Sequence, residues 1–171
     1  MNAHALHNRK LGAVVTVRPL RDGDTQTVAA LFDRLGPESR ARRFHGPKPR
    51  LTESDLRRLA QVGPDHHALV AYVGADAAPA GIARLVRDLH DPRAAEIAFE
   101  VADCYQGAGL GTQLVQLLLA DARAAGFERV VASVESSNRA AFALLRRVLG
   151  RPSARIDGGD VLVAAPLVAA G

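Results

Sequence analysis

Residues 105–126 read YQGAGLGTQLVQLLLADARAAG, with three glycines inside five positions followed at once by an apolar run. The apolar run predicts a long helix, and Gly126 is a natural residue to end it. Glycine weakens regular structure, so three of them at the start of a helix indicate a need for bare backbone. This stretch therefore predicts a glycine turn at a helix N-terminus.

The composition narrows the class of protein. The chain has 171 residues, of which 48% are hydrophobic and 23% charged, as is ordinary for one soluble globular domain. No apolar stretch reaches about 18 residues, so we expect no membrane partner. The single cysteine, Cys104, excludes an intrachain disulfide framework and argues for a reducing compartment, the cytoplasm.

Nucleic-acid and metal binding are not expected either. The net charge of +4 comes from scattered arginines, and only 4% of residues are aromatic, which leaves little to stack on bases. The histidines lack partners at zinc-ligand spacing, so no metal site is predicted.

Strand and helix signals alternate from residue 13 onward, whereas residues 1–12 are interpreted as a flexible tail. In 93–103, Ile97 and Phe99 alternate with Glu96 and Glu100, which is the period of a strand. Residues 36–50, with three prolines and two glycines, are predicted as a loop with at most one short turn. Further strands are predicted at 16–20, 66–74, 80–88, 129–135, 153–156 and 160–167, and helices at 28–35, 56–62, 110–125 and 138–149.

This order predicts an α/β (α+β) fold in which helices cover one mixed sheet of about 6–7 strands, with about 4 helices. Asp24 is expected to cap the first helix, and Thr52 with Asp55 resembles a capping signal for the next. No room is left for a second domain.

The glycine turn is suited to binding a phosphate. The first N–H groups of a helix lack partners and carry the positive end of its dipole, and glycine lets an anion approach them. A P-loop requires a lysine followed by serine or threonine, a pair this chain lacks. A dinucleotide fingerprint starting at Gly107 would require glycine where Thr112 stands, so that interpretation is weak.

The motif Gln106-Gly107-Ala108-Gly109-Leu110-Gly111 resembles the acyl-CoA pyrophosphate loop of the GNAT superfamily of N-acetyltransferases. Two further motifs extend the resemblance: AEIAFEVADCYQGAGLG places Glu96 ten residues before the glutamine, and NRAAFALL supplies the N-x-x-A-x-x-L pattern. The resemblance implies a single GNAT-like acetyltransferase domain over residues 13–171, with acetyl-CoA as cosubstrate and no metal. Homodimers are frequent in this superfamily, so a homodimer is an open alternative.

The resemblance also implies roles for individual residues. Main chain near Phe99 and Val101 would pair with the pantetheine arm, and Asn138 would hydrogen-bond the pantetheine or the thioester region. The pyrophosphate would lie on the glycine turn. The cofactor-binding residues implied are Phe99, Val101, Gln106, Gly107, Ala108, Gly109, Leu110, Gly111, Thr112 and Asn138.

Acyl transfer from a thioester requires a neutral amine, whereas at pH 7 only about one free lysine in 2,500 is neutral. A positioned base lowers that barrier, and Glu96 has the right type and place. Glu100 shares its face of the strand and is the alternative base, and a plain solvent-facing role is open for both. Many relatives carry a tyrosine acid where this chain has Leu145, so the general acid is left unassigned.

The acceptor is predicted from a second resemblance. Residues 34–59 and the motifs GIARLVRD and NRAAFALLRR look like bacterial Pat-type protein lysine acetyltransferases. That group implies a protein lysine as acceptor, for example on an acyl-CoA synthetase. A small-molecule amine acetyltransferase and a catalytically silent acyl-CoA-binding module are the alternatives.

Overall fold

The computed structural model describes residues 3–167. The strands are β1 His4–Asn8, β2 Ala13–Pro19, β3 His66–Val73, β4 Gly81–Arg87, β5 Ala94–Val101, β6 Arg129–Glu135, β7 Ser153–Asp157 and β8 Asp160–Pro166. The helices are α1 Thr25–Asp33, α2 Pro37–Phe44, α3 Glu53–Ala60, α4 Leu110–Ala124 and α5 Arg139–Leu149, with a 3-10 turn at Asp103–Tyr105. Together they form a single α/β domain around a mixed sheet, which confirms the predicted fold class.

The sheet runs in the order β1-β2-β3-β4-β5-β6-β8-β7. Neighbouring strands are antiparallel except β5 and β6, which are parallel because α4 connects them. Their pairing covers only residues 94–96 of β5 against 129–131 of β6, although both strands continue further. The sheet therefore splits beyond Glu96 into two halves with a gap between them.

Helices pack on both faces of the sheet because β3 and its neighbours alternate apolar side chains between the two faces. On one face, Leu110, Leu114 and Leu118 of α4 join the main core together with residues of α5. On the other face, α1 and α3 bury Leu31 and Leu59 against the opposite side of β3 and β4. Within residues 3–167, no helix is long and apolar enough to cross a membrane.

Two of the predicted helix starts are confirmed. The Asp24 carboxylate accepts a hydrogen bond from the N–H of Thr27 and caps α1. Thr52 and Asp55 form a reciprocal capping box at the start of α3. Both are local signals, and neither depends on the rest of the fold.

Three predictions about the fold need correction. Residues 4–8 were expected within a flexible tail, but they form β1 and pair with β2 from His4 to Asn8. The predicted loop at 36–50 contains α2, because its prolines lie at the edges of that helix and leave the interior free. As a result the described residues hold eight strands and five α-helices, more than the numbers expected.

Candidate active site

The gap between β5 and β6 opens into a cleft of about 390 Å³. Its walls come from β5, β6, the glycine turn, α2 and α5. Among the predicted site residues, the cleft is lined by Glu96, Phe99, Glu100, Val101, Gln106, Gly107, Gly109, Leu110, Gly111, Thr112 and Asn138. The fold thus brings together residues that lie up to about forty positions apart in the sequence.

The glycine turn begins α4 in the way the sequence indicates. Gly107 and Gly109 have φ values of 73° and 85°, which L-residues with side chains rarely adopt. Gly109 is the N-cap of α4 and supplies no side chain to the helix end, so the first N–H groups of α4 face the cleft without a capping oxygen. A Cβ built on Gly107 or Gly109 would meet nothing within 4 Å, so space for an anion lies beside both residues.

Gly111 serves a different purpose. A Cβ at this position would lie 2.9 Å from Leu144 Cδ1 and 3.4 Å from Val101 Cγ2. The missing side chain therefore lets α5 and the end of β5 approach the first turn of α4. Leu110, another of the predicted cofactor-binding residues, is fully buried next to Gly111. Its side chain therefore belongs to the core as well as to the cleft wall.

Gln106 braces the turn. Its Nε2 lies 3.0 Å from the Val101 carbonyl oxygen and 3.1 Å from both Ser39 Oγ and Asp103 Oδ1. Asp103 in turn accepts a hydrogen bond from the N–H of Gly36 at the start of α2. The glutamine therefore joins the end of β5, the turn and α2 into one wall of the cleft.

Glu96 is the last residue of β5 that pairs with β6, where it lies opposite Val131, and on its other side it lies opposite Val86 of β4. It lies at the point where the two halves of the sheet separate, and its side chain is exposed in the cleft. Within the described part of the chain its carboxylate makes no hydrogen bond or ion pair. An unengaged carboxylate at the apex of the gap is available to accept a proton.

Glu100 has a very different environment. Its side chain is only 10% exposed, and Arg43 Nε donates to its Oε2 at 2.5 Å. Arg84 Nη2 lies 3.6 Å from its Oε1, and the other Arg84 terminal nitrogen donates to the Leu59 carbonyl oxygen. Burial would raise the pKa of Glu100, but Arg43 and Arg84 outweigh it and hold that pKa below its usual value. Glu100 is therefore a fixed anion rather than a solvent-facing residue, and this geometry favours Glu96 as the base.

Asn138 is the N-cap of α5, with its Oδ1 accepting a hydrogen bond from the N–H of Ala141 at 3.1 Å. Its amide nitrogen is left to act as a donor in the cleft. Leu145, at the position of the expected tyrosine, is fully buried in the core. The cleft does contain Tyr105, but its hydroxyl donates to Asp76 Oδ2 at 2.9 Å. Burial and that hydrogen bond raise the pKa of Tyr105, so it is a poor proton donor.

The cleft includes residues that sequence reasoning missed. Lys10 reaches the glycine turn from the connection between β1 and β2, and Arg147 lines the cleft from α5. His45, which ends α2 with a left-handed φ of 55°, pairs with Asp160 of β8 at 2.8 Å across the mouth of the gap. Lysine and histidine in short connections carried no sequence signal, because their partners lie about a hundred residues away. Within residues 3–167, no group of three or more possible metal ligands is found.

Comparison with known proteins agrees with this geometry. Residues 29–150 match the acetyltransferase (GNAT) family. Over 147 residues the chain is 33% identical to "Acetyltransferase Pat" of Mycolicibacterium smegmatis. The matched region covers 85% of this chain and 44% of that protein. The chain therefore spans less than half of that relative. It is also 30% identical over 134 residues to "Acetyltransferase PA5475" of Pseudomonas aeruginosa, which covers 75% of this chain and 70% of that protein.

Solved structures give the same fold. The GNAT domain of S. lividans PAT superimposes with a TM-score of 0.85, covers 96% of both chains and is 24% identical. The acetyltransferase yncA of Salmonella typhimurium, solved with its cofactor acetyl-CoA, has a TM-score of 0.66 at 20% identity and covers 90% of this chain and 94% of its own. The sequence of the chain thus matches one family over most of its length. Its sheet splits at the Glu96 carboxylate, beside the glycine turn that starts α4. The chain belongs to the acetyltransferase (GNAT) family.

Proposed function

We propose that this acetyltransferase moves the acetyl group of acetyl-CoA to a primary amine, and that the acceptor is a lysine of another protein. The observation that carries the proposal is the position of Glu96. Its unengaged carboxylate stands where β5 and β6 separate, and the glycine turn lies in the same cleft. The reacting groups would meet in that gap.

The acetyl-CoA site is supported by the residues present. Open space beside Gly107 and Gly109, together with uncapped N–H groups at the start of α4, suits a pyrophosphate. Beyond Glu96, the edge of β5 facing the gap has no strand partner, so main chain near Phe99 and Val101 is free to pair with the pantetheine arm. The Asn138 amide can donate to the same arm. When bound, acetyl-CoA supplies an activated thioester.

Glu96 would remove a proton from the acceptor amine, directly or through a water. A free lysine is about 4.6 kcal/mol away from its neutral form at pH 7, so a positioned base matters. Glu100 is held as an anion by Arg43 and Arg84 and would not take the proton. A CoA thiolate is a tolerable leaving group, and with Leu145 buried we assign its protonation to solvent.

The choice of a protein lysine rests on the relatives and on the outer face of α2, the helix that packs beside β5. Pat is the relative with 33% identity, and residues 34–59 resemble the Pat-type lysine acetyltransferases. Those residues include α2, a helix with no buried residue, so its outer face is free to meet a large acceptor. A small-molecule acceptor is the alternative outcome of the test.

The test is incubation with acetyl-CoA and an acyl-CoA synthetase from the same cell, with release of CoA thiol and mass spectrometry of the synthetase lysines as readouts. We expect one or a few lysines to be modified far faster than free lysine. Free amino acids, polyamines and aminoglycosides are run in parallel at matched amine concentration.

Glu96→Gln is the matched control, because it keeps the shape of the side chain and removes its basicity. Loss of modification in this variant separates enzymatic transfer from spontaneous acetylation. Equal or faster reaction of a small amine would replace the protein-substrate proposal, and acetyl-CoA binding without release of thiol to any amine would indicate a silent binding module.

A further inference from the structure

The connection between β1 and β2 has a shape fixed by hydrogen bonds, and it reaches the glycine turn. Asn8, only 4% exposed, accepts hydrogen bonds from the N–H groups of Lys10 and Leu11, each at 3.1 Å. The Asn8 amide also donates to Gln113 Oε1 of α4 at 2.8 Å. A buried asparagine thus holds the shape of the connection and fastens it to the helix that the glycine turn begins.

Lys10 is presented by this connection to the cleft. Its Nζ donates to the Gly107 carbonyl oxygen at 3.2 Å, and its side chain is part of the cleft wall. Among the described residues no carboxylate pairs with Lys10, whereas Lys48, the other lysine of the chain, pairs with Asp55 at 2.7 Å. The Lys10 ammonium therefore stands at the glycine turn with its charge uncompensated.

We infer that Lys10 is a further binding residue for the cosubstrate, and that it pairs with the pyrophosphate held by the glycine turn. This inference rests on the proposed use of acetyl-CoA. Each phosphate of that group carries a negative charge, whereas the helix start offers only a partial positive charge from its N–H groups. An ammonium on a connection fixed by Asn8 supplies the full charge that the backbone cannot.

The test is calorimetric binding of acetyl-CoA and of acetyl-dephospho-CoA, which lacks the 3′-phosphate, without any acceptor amine. Lys10→Gln is expected to weaken both ligands to the same extent, by about fivefold at low salt. The difference from wild type should shrink as ionic strength rises, because an exposed pair is screened. Arg9→Gln is the matched control: it removes the same charge one residue away, from a side chain outside the cleft wall, and should leave both affinities unchanged.

A second variant tests the role given to Asn8. Asn8→Ala is expected to weaken acetyl-CoA binding by a similar factor, and the double variant with Lys10→Gln should bind no more weakly than either single variant, because both changes remove one interaction. Thermal unfolding without ligand checks that each variant is folded at the temperature of the binding measurement.

The remaining outcomes overturn the inference in distinguishable ways. If Lys10→Gln lowers the affinity for acetyl-CoA but not for acetyl-dephospho-CoA, Lys10 contacts the 3′-phosphate and not the pyrophosphate. If Arg9→Gln lowers both affinities as much as Lys10→Gln does, the effect is one of general surface charge. Unchanged binding in Lys10→Gln would remove Lys10 from the site while leaving the proposed function intact. If wild-type protein fails to bind acetyl-CoA, the proposed function itself is wrong.

Discussion

Replacing Glu100 by glutamine removes the negative charge that two arginines share, while the shape of the side chain stays. Arg84, which is 8% exposed, and the largely covered Arg43 would be left without their common counter-ion. Removing one partner of a buried ion pair costs about 3–5 kcal/mol, because the remaining charge cannot recover its hydration. In a chain of this size we expect the melting temperature to fall by roughly 6–20 °C.

The loss should also depend on pH. The pKa of Glu100 is lowered in the folded protein, so the unfolded chain takes up this proton first on acidification. The stability from the charged carboxylate is fully present above the unfolded pKa of about 4.3 and disappears as the pH falls through the folded pKa. Wild type and Glu100→Gln should therefore differ most near neutral pH; the difference should begin to shrink at about pH 4.3 and vanish below the folded pKa.

Urea unfolding at pH 7 and at acidic pH measures both effects. Glu96→Gln is the control for stability, since it makes the same change four residues earlier on an exposed, unpaired side chain and should stay within about 0.5 kcal/mol of wild type. If Glu100→Gln is as stable as Glu96→Gln at pH 7, the two arginines do not depend on this carboxylate and the reasoning fails.

Three further changes test the cleft. Glu96→Gln should lower turnover by about 10²–10⁴-fold with acetyl-CoA affinity unchanged, and an intact rate would exclude Glu96 as the base. Acetyl-CoA at about 100 times its dissociation constant should stabilise wild type against thermal unfolding by about 2.7 kcal/mol. Gly109→Asp should abolish this thermal shift, whereas Gly109→Asn should keep most of it because asparagine tolerates a left-handed backbone. Gly111→Ala should cost about 1 kcal/mol in thermal unfolding, the low end for overpacking because its methyl group meets the movable Cδ1 end of Leu144, and clearly less in a Leu144→Ala background.

The parts of the fold that the sequence predicts are those specified by neighbours along the chain. Period-two alternation marks β5, and glycine before an apolar run marks the start of α4. The caps at Asp24 and Thr52 are likewise set by residues three positions apart. These features need no knowledge of distant contacts, so local chemistry is sufficient to predict them.

The positions of the prolines, a local feature of the sequence, are compatible with helix α2. Pro37 occupies the first helical position, where the missing N–H has no partner to lose, and Gly36 is the N-cap. The other prolines follow the helix end, which His45 closes in a left-handed conformation. Counting prolines over 36–50 indicated a loop, whereas their positions are compatible with a helix.

The site could be predicted only in part, because its chemistry depends on long-range contacts. Alternation places Glu96 and Glu100 on one face of β5 but cannot tell them apart. Arg43 lies 57 residues from Glu100, and this contact turns one of two similar carboxylates into a fixed anion. The sequence predicts Lys10 in a tail, because the hydrogen bond that fastens its connection joins residues 105 positions apart.

The three glycines of the turn should diverge in different ways during evolution. At Gly107 and Gly109 the constraint is handedness: the space beside them is open, so asparagine, or a D-amino acid in a synthetic chain, satisfies the backbone. At Gly111 the constraint is volume, which no change of chirality relieves. A larger residue there fits best with a smaller one at position 144, so these two positions should covary among relatives while positions 107 and 109 vary without regard to either.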